Sequence, residues 1–207
     1  MSIDARSACL RASDDEEIVL GGARWLGALT PEDRDVISRA RPPVLDIGCG
    51  PGRHVLALAG AGKLALGIDM TRSAVDFARA RGAPVLHRSV FARVPGEGRW
   101  NSALLLDGNV GIGGDPVKLL QRVCKLLVPD GQVLLELEPP GVAVARRTVR
   151  FELGTRTGPR FEWAPLSIDD LPLVAEHART VVHDSWQSHG RWFAELRRAP
   201  MRRGAHA

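Results

Sequence analysis

The chain has 207 residues, 44% of them hydrophobic and 25% charged, with a formal net charge of +4. That length suits one domain of roughly 100–200 residues, and the composition is that of a folded chain with a full apolar core. No stretch approaches the roughly 18 uninterrupted apolar residues of a membrane helix, and residues 1–17 carry acids with no apolar run, which argues against a secretory signal. The three cysteines, Cys9, Cys49 and Cys124, have no CxxC spacing, and the histidines have no metal-binding spacing, so neither disulfide nor metal site is expected. A cytoplasmic protein with no membrane partner fits these features.

Residues 1–42 read as an N-terminal helical segment of the same domain. Asp14-Asp15-Glu16-Glu17 favour a helix start through the macrodipole, and Ile18, Trp25, Leu26 and Leu29 follow at near-helical spacing. Thr30-Pro31-Glu32-Asp33 is a second start signal, with Thr30 as N-cap and Pro31 at the first helical position. Arg41-Pro42-Pro43 ends that helix.

Residues 43–198 read as the main domain. Strands are predicted over 44–47, 64–68, 84–87, 100–106 and 133–137, alternating with helices over 53–60, 71–81 and 116–127; residues 94–98 read as a loop, so the third crossover is short or non-helical. Such alternation predicts a parallel sheet covered on both faces. A hairpin over 148–153 and 160–163, a helix from Ser167-Ile168-Asp169-Asp170 to about Ala178, and an antiparallel pair over 181–187 and 192–196 follow. Residues 199–207 form a basic flexible tail.

One run carries most of the chemistry: Pro43-Val44-Leu45-Asp46-Ile47-Gly48-Cys49-Gly50-Pro51-Gly52. An apolar strand ends in a turn whose alternate glycines allow positive φ and close approach of backbone to a ligand. At the carboxyl end of a parallel strand, this is where open α/β sheets bind ligands. A dinucleotide turn, G-x-G-x-x-G, would need glycine at position 53, which is Arg53. Asp69 closes the second strand about twenty residues on, where a carboxylate would accept hydrogen bonds from both ribose hydroxyls of an adenosine.

Asp46-x-Gly48-x-Gly50-x-Gly52 with Asp69 resembles the first motifs of class I S-adenosylmethionine (SAM) methyltransferases. The resemblance spans roughly Pro43 to Arg198, with its specific motifs between residues 44 and 110. It implies an α/β fold: a Rossmann-like, seven-stranded, mostly parallel sheet with helices on both faces and the last strand antiparallel, here with an N-terminal helical cap. It implies SAM as cofactor, held by Asp46, Gly48, Cys49, Gly50 and Gly52 around the methionine part, Asp69 at the ribose, Met70 against adenine, and Ser89 and Val90 at the adenine edge. Ser89 departs from the Asp common in the family. Phe91 closes the pocket or belongs to the core.

Asp107-Gly108-Asn109 follows the fourth strand and would face the reacting methyl. Asp107 and Asn109 are the catalytic candidates, Asp107 also touching the cofactor. The segment is not the Asn/Asp-Pro-Pro-Tyr/Phe tetrapeptide of DNA and protein amide-nitrogen methylases. His54 is a base or a helix cap; Glu136 and Glu138 share one strand face and are substrate ligands or rim charges; the arginines between 146 and 160 form an anion site or a solvated face. Trp25, Phe161 and Trp163 are acceptor-wall candidates or core. The resemblance implies methyl transfer to a small-molecule acceptor on O, N or C by in-line displacement. Two alternatives stand beside it: a SAM-binding regulatory or scaffolding protein, and an RNA methyltransferase using the basic tail. A nucleic-acid partner is not expected, and oligomeric state is not legible.

Overall fold

The computed structural model describes residues 8–13, 17–18, 22–142, 145–153 and 156–200. The central sheet has seven strands: β3 (Val44–Ile47), β4 (Ala65–Asp69), β5 (Val85–His87), β6 (Trp100–Leu105), β7 (Leu127–Leu137), β10 (Thr180–Ser188) and β11 (Arg191–Arg198). Their order is β10-β11-β7-β6-β3-β4-β5. β5, β4, β3, β6 and β7 pair in parallel, and β11 pairs antiparallel with both β7 and β10. The last strand thus runs against the others, as expected.

Helices α2 (Pro31–Ser38), α3 (Arg53–Gly60), α4 (Arg72–Ala80), α5 (Pro116–Leu126) and α6 (Leu171–His177) flank the sheet. All four residues of β3 are buried, as a central parallel strand requires. Its side chains alternate: Leu45 and Ile47 pack with Leu119, Leu120 and Val123 of α5. Val44 packs on the other side with Val55 and Leu58 of α3 and Val75 and Ala78 of α4. The Thr30 capping box forms: its hydroxyl accepts the Asp33 amide and the Asp33 carboxylate accepts the Thr30 amide. Each such cap contributes about 1 kcal/mol.

The N-terminal segment departs from expectation. It opens with two strands, β1 (Ala8–Ala12) and β2 (Glu17–Ile18), before the short helix α1 (Gly22–Leu26). Ile18, expected on a helix, lies in β2. The reason is tertiary. β1 pairs antiparallel with β8 (Arg147–Leu153), and β8 with β9 (Arg156–Trp163), so a second sheet of order β2-β1-β8-β9 forms. Leu10, Trp25, Val149, Phe151 and Trp163 make its own apolar cluster, which outweighs local helix propensity. The cap of the main sheet is therefore mixed strand and helix. Of the basic tail, residues 201–207 lie outside the described residues.

Candidate active site

The strand order reverses between β3 and β6: from β3 the chain winds outward through β4 and β5, then returns to β6 on the other side. A crevice at the carboxyl ends is the consequence, and here it opens into a cavity of about 400 Å³, within the range of roughly 300–1,000 Å³ usual for small-molecule sites.

The glycine turn forms the cavity floor. Gly48, Gly50 and Gly52 have φ of 71°, 50° and 80°, the left-handed region that a side chain strains. A Cβ on Gly48 would sit 2.7 Å from the Asn109 side chain. The amides of Gly48 and Cys49 both donate to the Ile68 carbonyl, at 2.8 and 3.1 Å, and the Gly50 amide donates to Asp69 Oδ2 at 2.8 Å. Asn109 Nδ2 donates to the carbonyls of Ile47 (3.0 Å) and Gly48 (2.9 Å). The loop amides are thus spent inside the fold, and what the turn offers a ligand is bare backbone surface and the second lone pairs of its carbonyls.

Asp69 stands at the end of β4. Its Oδ1 accepts the Thr71 amide at 2.6 Å. Burial raises its carboxyl above the ordinary value, against the pull of the Thr71 and Gly50 amides. A carboxylate has about four acceptor sites, so two remain for a ligand diol. Met70 is half exposed at the rim. Ser89 Oγ accepts the Phe91 amide at 3.2 Å, and Val90 is buried with its carbonyl accepting from Arg122 Nε at 2.9 Å. The Phe91 ring lies where a Cβ on Gly113 would come within 2.9 Å, so the glycine there makes room for the ring.

Asp107 follows β6 with φ of 55°. Its carboxylate is gripped by Arg53 through Nη1 (2.7 Å) and Nη2 (3.0 Å), and by Arg24 Nη2 at 3.2 Å. Arg53 also donates to both oxygens of Asp33, at 3.2 and 3.1 Å. Arg191 reaches Asp33 at 2.8 Å and makes a two-pronged pair with Glu136 at 2.8 and 2.7 Å. Glu136 in turn accepts the Asp107 amide at 2.8 Å. His54 sits buried between Asp33 (3.6 Å) and Asp46 (3.8 Å). Three arginines and a histidine thus face four carboxylates, a balanced cluster.

Burial would raise the Asp33 carboxyl, but His54, Arg53 and Arg191 hold it far below the carboxylate range. Burial would depress His54, but Asp33 and Asp46 push it up to about 8. Burial likewise opposes ionisation of Glu136, yet Arg191 holds it below its ordinary value. For Asp107 burial prevails over Arg53 and the carboxyl is raised.

The cavity therefore brings together Gly48, Cys49, Gly50, Asp69, Met70, Ser89, Val90, Asp107 and Asn109 of the residues singled out in the sequence. Asp46 and Gly52 are not in its wall. Asp46 is buried beside His54, with one oxygen unpartnered. Gly52 faces Ala78 and Ala83, where a Cβ would come within 3.1 and 3.2 Å, so its role is helix packing. Asp107 and Asn109 border the cavity, but Asp107 spends its carboxylate on Arg53 and Arg24 and Asn109 its carboxamide N–H on the glycine turn. The arginines that order this corner were missed. In the sequence Arg53 stands out only as the residue where a dinucleotide turn would need glycine, while Arg24, Asp33 and Arg191 lie in three separate segments with no shared motif.

Opposite the turn, Leu10, Trp25, Ile112, Phe151, Phe161 and Trp163 border the cavity. Trp163 is buried and donates its indole N–H to the Gly108 carbonyl at 3.0 Å. Trp25 packs on Phe151 with ring centroids 5.3 Å apart.

Fold and floor define a class: an open α/β sheet with a glycine turn after its first parallel strand, at the carboxyl end where such sheets bind ligands. Residues 44–131 match the family model described as a methyltransferase domain. The whole fold is similar to a SAM-dependent methyltransferase from Bacteroides fragilis solved in complex with S-adenosyl-L-homocysteine (TM-score 0.77, 21% identity, covering 96% of this chain and 90% of that one). It is also similar to the CcbJ methyltransferase from Streptomyces caelestis (0.65, 14%, 85% and 92%). A third is Burkholderia thailandensis 1,6-didemethyltoxoflavin-N1-methyltransferase, solved with 1,6-didemethyltoxoflavin and S-adenosylhomocysteine (0.60, 18%, 82% and 77%). No curated protein sequence matches the chain. Residues 44–131 thus match a methyltransferase domain, and the whole chain has the fold of SAM-dependent methyltransferases.

Proposed function

We propose that the chain transfers the methyl group of SAM to a small-molecule acceptor by in-line displacement. The observation that carries the reading is one cavity with two unlike walls. Glycine backbone, Asp69 and the residues 88–91 form one wall, and an aromatic surface forms the other. The cofactor fits the first. The Gly48 and Gly50 carbonyls suit its ammonium, the two remaining acceptor sites of Asp69 suit its ribose diol, and Met70, Ser89, Val90 and Phe91 suit the adenine. Bound there, SAM supplies a methyl group already activated by its sulfonium.

The remaining work falls to positioning. Holding a nucleophile about 3–3.5 Å from the methyl, in line with the breaking bond, supplies most of the acceleration. Asn109 acts as a positioning residue, because its carboxamide fixes the turn, and its carbonyl oxygen makes no hydrogen bond among the described residues. Asp107 fixes Arg53 and Arg24. Trp25, Phe161 and Trp163 would exclude water from the acceptor side.

Isothermal titration of the purified chain with S-adenosylhomocysteine (SAH), SAM and NAD tests the cofactor assignment. SAH and SAM are expected to bind and NAD to give no signal; NAD binding without SAH binding would overturn it. A tritiated-methyl assay over a metabolite panel tests the transfer.

A further inference from the structure

The crossover between β5 and β6 contains no helix. Of residues 88–99 only Val90 and Val94 are buried, so apolar packing fixes little of the segment. Hydrogen bonds from outside it supply the rest. Trp100 donates its indole N–H to the Pro95 carbonyl at 3.0 Å. Arg122, on α5, donates from Nε to the Val90 carbonyl at 2.9 Å and from Nη2 to the Ala92 carbonyl at 2.7 Å, while Nη1 pairs with Glu97. All three nitrogens of one guanidinium are spent on this crossover, and a planar fork fixes the two carbonyls relative to each other. Arg122 itself is not in the cavity wall, whereas Ser89, Val90 and Phe91 are.

The consequence falls on the peptide planes. With the Val90 carbonyl on Arg122, the Phe91 N–H of the same plane donates to Ser89 Oγ at 3.2 Å. The Ser89 carbonyl accepts the Ala92 amide at 3.1 Å, which sets the plane that carries the Val90 N–H. That N–H makes no hydrogen bond among the described residues, although Val90 is buried and borders the cavity. A buried backbone donor without a partner is rare. Beside it, Ser89 Oγ keeps a second lone pair. A donor next to an acceptor is the complement of adenine, whose N1 accepts and whose exocyclic amine donates.

From this geometry we infer that Arg122 is a positioning residue for base selection: by gripping the Val90 and Ala92 carbonyls it holds the Val90 N–H where adenine N1 accepts it. The inference rests on the function proposed above, which puts adenine at residues 88–91. Ser89 can donate or accept, so the backbone N–H, which only donates, carries the discrimination. Hypoxanthine has an N–H at N1 and meets that donor with a donor.

The test is isothermal titration of the full chain with SAH and with S-inosylhomocysteine, which differ only in the base. The parent chain is expected to bind SAH at least about tenfold more tightly. Arg122→Met should lower SAH affinity about tenfold and leave that for S-inosylhomocysteine within about twofold, so that the preference collapses. Arg122→Lys keeps the charge without the fork and should fall between the two; it carries the same comparison if Arg122→Met does not fold, as thermal melts will show. Equal fractional losses for both ligands would make Arg122 a support of the fold alone and overturn the inference. So would unchanged SAH affinity in a folded Arg122→Met, and so would a parent chain that binds SAH without distinguishing the two bases, which would leave the proposed function standing. If the parent chain does not bind SAH, the proposed function fails first and this inference with it.

Discussion

The two walls of the cavity are built in opposite ways. The wall proposed for the cofactor comes from three strand ends, at residues 47–52, 69–71 and 88–91, each a short run of sequence. Its shape is set by backbone: positive φ at Gly48 and Gly50, amides spent on Ile68 and Asp69. The wall proposed for the acceptor is set by side chains from distant segments, Leu10 and Trp25 from the N-terminal part and Phe151, Phe161 and Trp163 from the β8–β9 hairpin. Backbone geometry admits one kind of ligand, whereas a wall of side chains can be altered residue by residue without disturbing the turn. A fold arranged this way can hold its cofactor constant while its acceptor varies.

The strongest way to break that separation is at Arg53, which touches both walls' supports. Arg53→Met leaves buried carboxylates of Asp33 and Asp107 short of a partner. The expected cost is about 3–5 kcal/mol of stability, measured by chemical denaturation. A variant as stable as the parent would mean that Arg191 and Arg24 suffice.

Asp69→Ala acts on the cofactor wall alone. Each charge-assisted bond lost contributes about 1.5–3 kcal/mol, so SAH affinity should fall ten- to a hundredfold or more, with the aromatic wall undisturbed. An unchanged dissociation constant in a folded variant would place the ribose elsewhere.

His54 tests the cluster beneath both walls through pH. Its folded value of about 8 lies above the ordinary 6.5. The folded state therefore binds the proton more tightly, and the stabilisation is complete below about pH 6.5 and lost as pH rises through 8. At 1.36 kcal/mol per unit the effect is on the order of 2 kcal/mol. Unfolding free energies at pH 6 and pH 9 should differ by that amount, the lower pH being the more stable. His54→Gln should flatten the difference; an unchanged slope would move the titration to another group.

The smallest effect is expected from Phe161→Leu in the acceptor wall. Partly buried and close in volume, it should lose less than about 1.5 kcal/mol of stability and leave SAH affinity within about threefold. A tenfold loss of SAH binding would show that the hairpin also grips the cofactor and would dissolve the distinction between the walls.

What the sequence made legible follows the same division. The limits of β3 and α3, the capping of α2 by Thr30 and the grouping of Gly48, Gly50 and Asp69 are local facts, fixed by alternation, cap chemistry and glycine spacing. Strand β1 was illegible because five residues, Ala8–Ala12, carry no clear period and its partner β8 lies far along the chain, and β2 pairs only with β1. Arg24, Arg53 and Arg191 were invisible as a group for the same reason. Asp107 and Asn109 were found as polar residues at the right strand end, but what they touch there is decided by Arg53 and by the Gly48 carbonyl, which no spacing rule encodes.

The pairing of β1 with β8 also fixes an order of events at the ribosome. Cys9 faces Glu152 across that pairing, 143 residues away in sequence. Domains begin to fold as they emerge, at about 5–20 residues per second, so residues 44–131 are available to collapse around β3 before Phe151 has been made. β1 must wait for β8 to be made, and during that interval Leu10 and Trp25 lack the cover of Phe151. A chaperone that shields short apolar segments would act in that window, and the wall of Leu10, Trp25 and Phe151 would be the last part of the cavity to close.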